Sequence, residues 1–128
     1  AVHPFRSKKK LMSEHTEQVT LMNWCKLMER SYPQLALIFS IPNGGKRHIG
    51  TARKLKAEGV KSGVPDIFLS VAKNGKHGLY VELKYGKNKP SKNQLEWLSA
   101  LSDEGYEAKV CYGFDEAKKA ICDYMGIE

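Results

Sequence analysis

Three side chains of complementary chemistry fall within one short stretch: Asp66, then Glu82 and Lys84 two residues apart. Strand alternation over Leu79–Lys84 sets Leu79, Val81 and Leu83 on one face and Tyr80, Glu82 and Lys84 on the other. The apolar face is the core side, so the carboxylate and the ammonium project together from the opposite one. Asp66 opens an earlier apolar run, Asp66–Ala72, and a hairpin loop over Lys73–Gly78 brings it back beside the Glu82–Lys84 end. Two carboxylates and a lysine placed so suit phosphodiester hydrolysis. The acids would bind a hard cation such as Mg²⁺ or Mn²⁺, which keeps waters and takes a phosphate oxygen. The lysine would position the attacking water or stabilise charge on the phosphorane. An E-x-K triplet alone is weak, because surface glutamate–lysine pairs are common; Pro65-Asp66 at hairpin distance from it is much more specific.

The elements that must hold this trio read as α-β-α-β-β-α-β-α, an α/β domain with a mixed four-stranded sheet flanked by helices. From Ser13 to Ser31, Leu21, Trp24, Cys25 and Met28 recur at helical spacing, with Ser13 as N-cap and Pro33 as stop. Leu35–Ile41 reads as a short buried strand ending at the turn Pro42-Asn-Gly-Gly45, and residues 48–58 as a basic amphipathic helix closed by Gly59. Asp66–Ala72 and Leu79–Lys84 form the hairpin around Asn74-Gly75 and Gly78. Ser91 and Gln94 make a capping box that opens a helix with Leu95, Leu98 and Leu101 inward and Gly105 at its end. Glu107–Tyr112 is the fourth strand, and Asp115 caps a last helix running to about Tyr124. The final β-α-β unit should cross over right-handed.

Pro65-Asp66 with Glu82-Leu83-Lys84 resembles the PD-(D/E)xK motif of restriction-endonuclease-like nucleases, and the chain is similar to their virus-type replication-repair nuclease (VRR-NUC) branch. The likeness is carried by Ile41-Pro-Asn-Gly-Gly-Lys-Arg47, by G-V-K-S-G-V-P-D ending at Asp66, by the E-L-K strand, and by Ser91-Lys-Asn-Gln94 with Trp97-Leu98. It spans roughly Ser13 to Tyr124. The resemblance implies a restriction-endonuclease-like core and a Mg²⁺- or Mn²⁺-dependent DNA endonuclease. It places Asp66, Glu82 and Leu83 at the metal, the last through its only oxygen, the main-chain carbonyl. It also implies a first-helix glutamate completing the metal site, for which Glu14 and Glu17 both qualify, three apart on one helical face. A glutamine opening the helix after the E-x-K strand matches Gln94, which the capping box alone would explain equally well. Stand-alone members resemble archaeal junction resolvases, which implies branched, Holliday-junction-like DNA and a homodimer whose two sites match the junction's symmetry. Leu37, Phe39, Ile49 and Phe114 are candidates for that interface.

Basic residues flank the site. Lys46, Arg47, His48, Arg53, Lys54 and Lys56 precede Asp66, and Lys87, Lys89 and Lys92 follow Lys84, as a groove tracking a phosphate backbone needs. Asn43 and Gly44 offer backbone N–H groups for close approach to phosphate. Asn43, Gly44, Lys46, Arg47, Arg53, Lys54 and Lys87 are the expected DNA contacts. The net charge of +7 is less telling: Arg6 and Lys8–Lys10 supply four of 21 basic residues, and from Met12 onward seventeen bases face fourteen acids, a balance of +3. Residues 1–11 read as an added leader or tail, which leaves 12–128 as a single nuclease domain. Three cysteines without a C-x-x-C pair argue against a disulfide framework or thiolate zinc site and fit a reducing cytoplasm. No apolar run is long enough for a membrane span. The alternative is a catalytically inactive nucleic-acid-binding module of the same fold. A protein-interaction domain using Trp24 and Trp97 is more distant, because both tryptophans sit at core-like helical positions.

Overall fold

The computed structural model describes residues 13–42 and 49–128. Helix α1 (Glu14–Met28) is opened by Ser13, whose hydroxyl accepts the Thr16 N–H while Thr16 accepts the Ser13 N–H in return. It ends one turn before the expected stop, because Pro33 drives Tyr32 into an extended conformation (φ −133°, ψ 81°) and the chain must leave the helix first. The predicted strand Leu35–Ile41 is corrected here. Pro33–Leu37 is a 3₁₀ turn with Pro33 at its start, and only Ile38–Ser40 is strand β1. Leu35 alone of this stretch is buried, so β1 is a short, half-exposed edge.

Helix α2 (Ile49–Ala57) follows, then β2 (Ile67–Leu69) and β3 (Leu79–Lys84). Helix α3 (Lys92–Asp103), β4 (Glu107–Tyr112) and α4 (Gly113–Met125) complete the chain. The sheet order is β1-β2-β3-β4, antiparallel across the first two pairs and parallel across the third. That is the expected mixed sheet with flanking helices.

One face of the sheet carries the core. Ile67, Leu69, Leu79, Val81, Leu83 and Cys111 bury against Leu21 and Cys25 of α1 and Ala117, Ile121 and Tyr124 of α4. The other face lies partly under α3. Leu95, expected inward, is 52% exposed; Gln94, Leu98 and Leu101 (i, i+4, i+7) form the inward stripe instead. Because β3 is central and covered on both sides, Glu82 and Lys84 are buried at 1% and 9% exposure rather than displayed to solvent.

The start of α4 also differs from expectation. The helix begins at Gly113, directly after β4, and Asp115 does not cap it. The connection needs positive φ (+83°) at Gly113, where a Cβ would lie 2.8 Å from a Glu17 carboxylate oxygen. The open N–H groups there go to Glu116, which accepts from Tyr112, and to Glu17, which accepts from Phe114. Among the described residues no helix is long and apolar enough to cross a membrane.

Candidate active site

The β2–β3 register pairs Ile67 with Val81, and one step further along the hairpin sets Asp66 opposite Glu82. A short strand entered through Pro65 thereby faces one carboxylate with another across the ladder. Asp66 Oδ2 accepts the Leu83 N–H at 2.8 Å, which fixes the Asp66 side chain over β3. Burial first, and then the Asp66 charge, push the Glu82 carboxyl up to about 8. Asp66 is raised as well, by burial first, with the Leu83 N–H working against it. The pair thus retains a proton at neutral pH, held chiefly by Glu82.

Lys84 Nζ stands 3.8 Å from Glu82 Oε2. Gln94 makes two contacts. Its Oε1 accepts the Ser91 N–H at 2.9 Å, closing the capping box, and its Nε2 donates to Glu82 Oε2 at 3.2 Å. Glu82 Oε1, by contrast, is buried with no hydrogen-bond partner among the described residues.

The two first-helix glutamates have different surroundings. Glu14 raises both Asp66 and Glu82 through its charge, and its Oε2 accepts from Asn88 Nδ2 at 3.2 Å, linking α1 to the loop after β3. Glu17 points to the start of α4, where its Oε1 accepts the Phe114 N–H at 3.0 Å. Among the described residues no three His, Cys, Asp or Glu side chains cluster closely enough to hold a metal. The donor set is therefore the Asp66–Glu82 pair, with Glu14 acting on it by charge. Two oxygen ligands, one of them an unpartnered buried oxygen, fit a hard divalent cation.

Arg53 and Lys54 on α2, and Lys87 after β3, are exposed and able to meet a phosphate backbone. Asn43, Gly44, Lys46 and Arg47 lie outside the described residues. Three residues of this neighbourhood were given no role of their own by the sequence. Asn88 holds Glu14, and Asn93 donates from its amide nitrogen to both the Ser62 carbonyl (2.9 Å) and hydroxyl (3.0 Å). Gly63, at φ +89°, lets the loop before Asp66 touch α3, since a Cβ there would meet Asn93 and Trp97 below 3.0 Å. The S-G-V-P-D string marks a turn but cannot name its partner helix.

A sequence model of the VRR-NUC domain matches residues 6–115. This chain belongs to the VRR-NUC family. The match begins inside the first eleven residues and takes in β1 to β4 and the carboxylate pair. A solved structure described as a VRR_NUC domain protein superposes with a TM-score of 0.76 at 30% identity, covering 91% of this chain and 90% of that one. Comparison with curated proteins gives no match. As a VRR-NUC domain the chain has a nuclease-like fold.

Proposed function

We propose that this VRR-NUC domain is a Mg²⁺- or Mn²⁺-dependent endodeoxyribonuclease. The observation that carries the reading is Glu82 Oε1, a buried and unpartnered carboxylate oxygen facing Asp66 across the hairpin. Asp66, Glu82 and the Leu83 carbonyl would hold the cation, with Glu14 favoured over Glu17 as the third acid because its charge reaches the pair. When bound, the cation supplies Lewis acidity at a phosphoryl oxygen and a more acidic water.

The protein groups do the rest. Gln94 holds Glu82 by Oε2, which leaves Oε1 directed into the site. The Leu83 N–H fixes Asp66 in the same way. Lys84, confined beside Glu82, orients a water or meets negative charge as it builds on the phosphate. Arg53, Lys54 and Lys87 provide sequence-independent phosphate contacts. Branched DNA and a two-fold homodimer remain part of this proposal, on the family's likeness to junction resolvases.

The direct test is nicking of linear, flap and four-way substrates with Mg²⁺ or Mn²⁺. Asp66→Ala and Glu82→Ala should each abolish cleavage while retaining the fold. Wild-type rates in Asp66→Ala would sink the assignment.

A further inference from the structure

Between α2 and α3 lies a groove of about 580 Å³, closed on its third side by the loop that follows α2. Leu55, Val60 and the Trp97 ring supply apolar wall, Lys56 and Lys61 stand at it, and none of its lining residues is acidic. The volume falls within the range of small-molecule sites, about 300–1,000 Å³. The groove is built from the two segments that hold the carboxylates: Ser62 lies on the loop leading to Asp66, and Asn93 directly precedes Gln94. Asn93 spends its amide nitrogen on Ser62, so its amide oxygen is the group left to accept from a ligand. Gly63 lets Trp97 and Asn93 pack tight against the loop that closes the groove.

We propose that this groove receives one unpaired nucleobase of the substrate strand, stacked on Trp97 and accepted at its edge by Asn93, with Lys56 and Lys61 on the flanking phosphates. An aromatic ring, one hydrogen-bond acceptor and two cations match a nucleotide in π-surface, N–H donor and charge. A base inside a continuous duplex cannot reach such a site without leaving the stack. The inference rests on the nuclease reading and narrows its substrate class: DNA with unpaired nucleotides beside the cut, rather than uninterrupted duplex.

Trp24→Phe leaves Trp97 as the sole tryptophan, and its emission can be titrated with a short oligothymidylate without divalent cation. Saturable quenching is expected, with about tenfold weaker binding and little quenching for an abasic oligonucleotide of equal length, since one base–aromatic stack is worth about that factor. Ala52→Phe, which fills the groove, should reduce oligothymidylate to the abasic level and leave binding of paired duplex unchanged. Lys56→Gln with Lys61→Gln, both exposed, should weaken both oligonucleotides alike and provides a second arm if Ala52→Phe fails to fold. Equal quenching by the abasic strand overturns the base pocket, as does unchanged affinity in the double lysine variant. If the pocket falls while wild-type protein still cleaves and Asp66→Ala does not, the nuclease reading stands alone; cleavage by Asp66→Ala removes the nuclease reading whatever Trp97 reports.

Discussion

Glu82 is held in a state that free glutamate avoids. An unsatisfied buried polar atom costs about 1–3 kcal/mol, and Oε1 carries that cost while Asp66 adds like charge. Proton uptake relieves it, which gives the apo protein a defined pH response. The Glu82 carboxyl titrates at about 8 in the fold, above its ordinary value of 4.5. Between those values the folded chain binds a proton that the unfolded chain does not. The associated stability is complete below the lower value and is lost as pH rises through the upper one. Cation-free melting temperatures should therefore fall from about pH 5 to about pH 8.5, and Glu82→Gln should flatten that slope. Added Mg²⁺ should raise the melting temperature more at the alkaline end, because metal and proton compete for the same oxygens. A pH-independent melting curve in the wild type would contradict the account. The two first-helix acids separate just as cleanly. Glu17→Ala removes an acceptor from the start of α4 and should cost about 1–2 kcal/mol in denaturant titrations, with cleavage retained. Glu14→Ala should keep stability and weaken Mg²⁺ dependence; the reverse pattern would assign the metal role to Glu17.

Helix α3 joins the two halves of the site. Its inward stripe begins with Gln94 rather than Leu95, so the capping residue of the first turn is also the residue that reaches Glu82. Asn93, one position earlier, grips the loop leading to Asp66. A single helix start thereby positions both carboxylates, one through each neighbour. In the proposed function helix α2 stands on the substrate side. Its Arg53 and Lys54 are exposed, and if they contact phosphate, removing both should weaken binding to all DNA sequences alike. The slope of log affinity against log salt should flatten by about 0.9 per lost contact on duplex DNA. An unchanged slope in the Arg53→Ala, Lys54→Ala double variant would make α2 a solvated face.

For the whole molecule, the open question of assembly turns on exposed apolar surface. Leu37 and Phe39 are 50% and 49% exposed at β1, the outermost of the described strands, whereas Phe114 packs partly on the core under the Lys118 ammonium. The side chain of Ile49 lies outside the described residues. Leu37 and Phe39 are thus the two described candidates still available for a partner. A junction-cleaving dimer needs upwards of about 1,000 Å² of buried surface. Sedimentation at micromolar concentration should show a species of twice the 14.4 kDa chain mass, and Leu37→Lys with Phe39→Lys should dissociate it. A monomer that stays monomeric on a four-way junction would exclude the resolvase form and favour flap or single-stranded substrates.

The amino-acid order alone determined the element sequence, the hairpin and the pairing of Asp66 with the Glu82 end, because strand alternation, capping boxes and turn residues are local rules. It equally determined that Glu82 and Lys84 share a face opposite the core side. Only the tertiary structure decided that this face is buried, since burial depends on β3 lying inside the sheet and on α3, packed beside it on β4, reaching Glu82 through Gln94, and not on the strand's own pattern. The same holds for Glu14 and Glu17: three residues apart on one helix they are equivalent in sequence, and what separates them is the start of α4 and the loop after β3, contacts made across most of the chain. Leu35–Ile41 misled for the complementary reason. Its apolar run satisfied a strand's composition, but Pro33 set a 3₁₀ turn that runs through Leu37 and leaves only Ile38–Ser40 as strand. Side-chain chemistry is written locally, whereas the environment that shifts a carboxyl to about 8 is assembled from α1, the hairpin and α3 together.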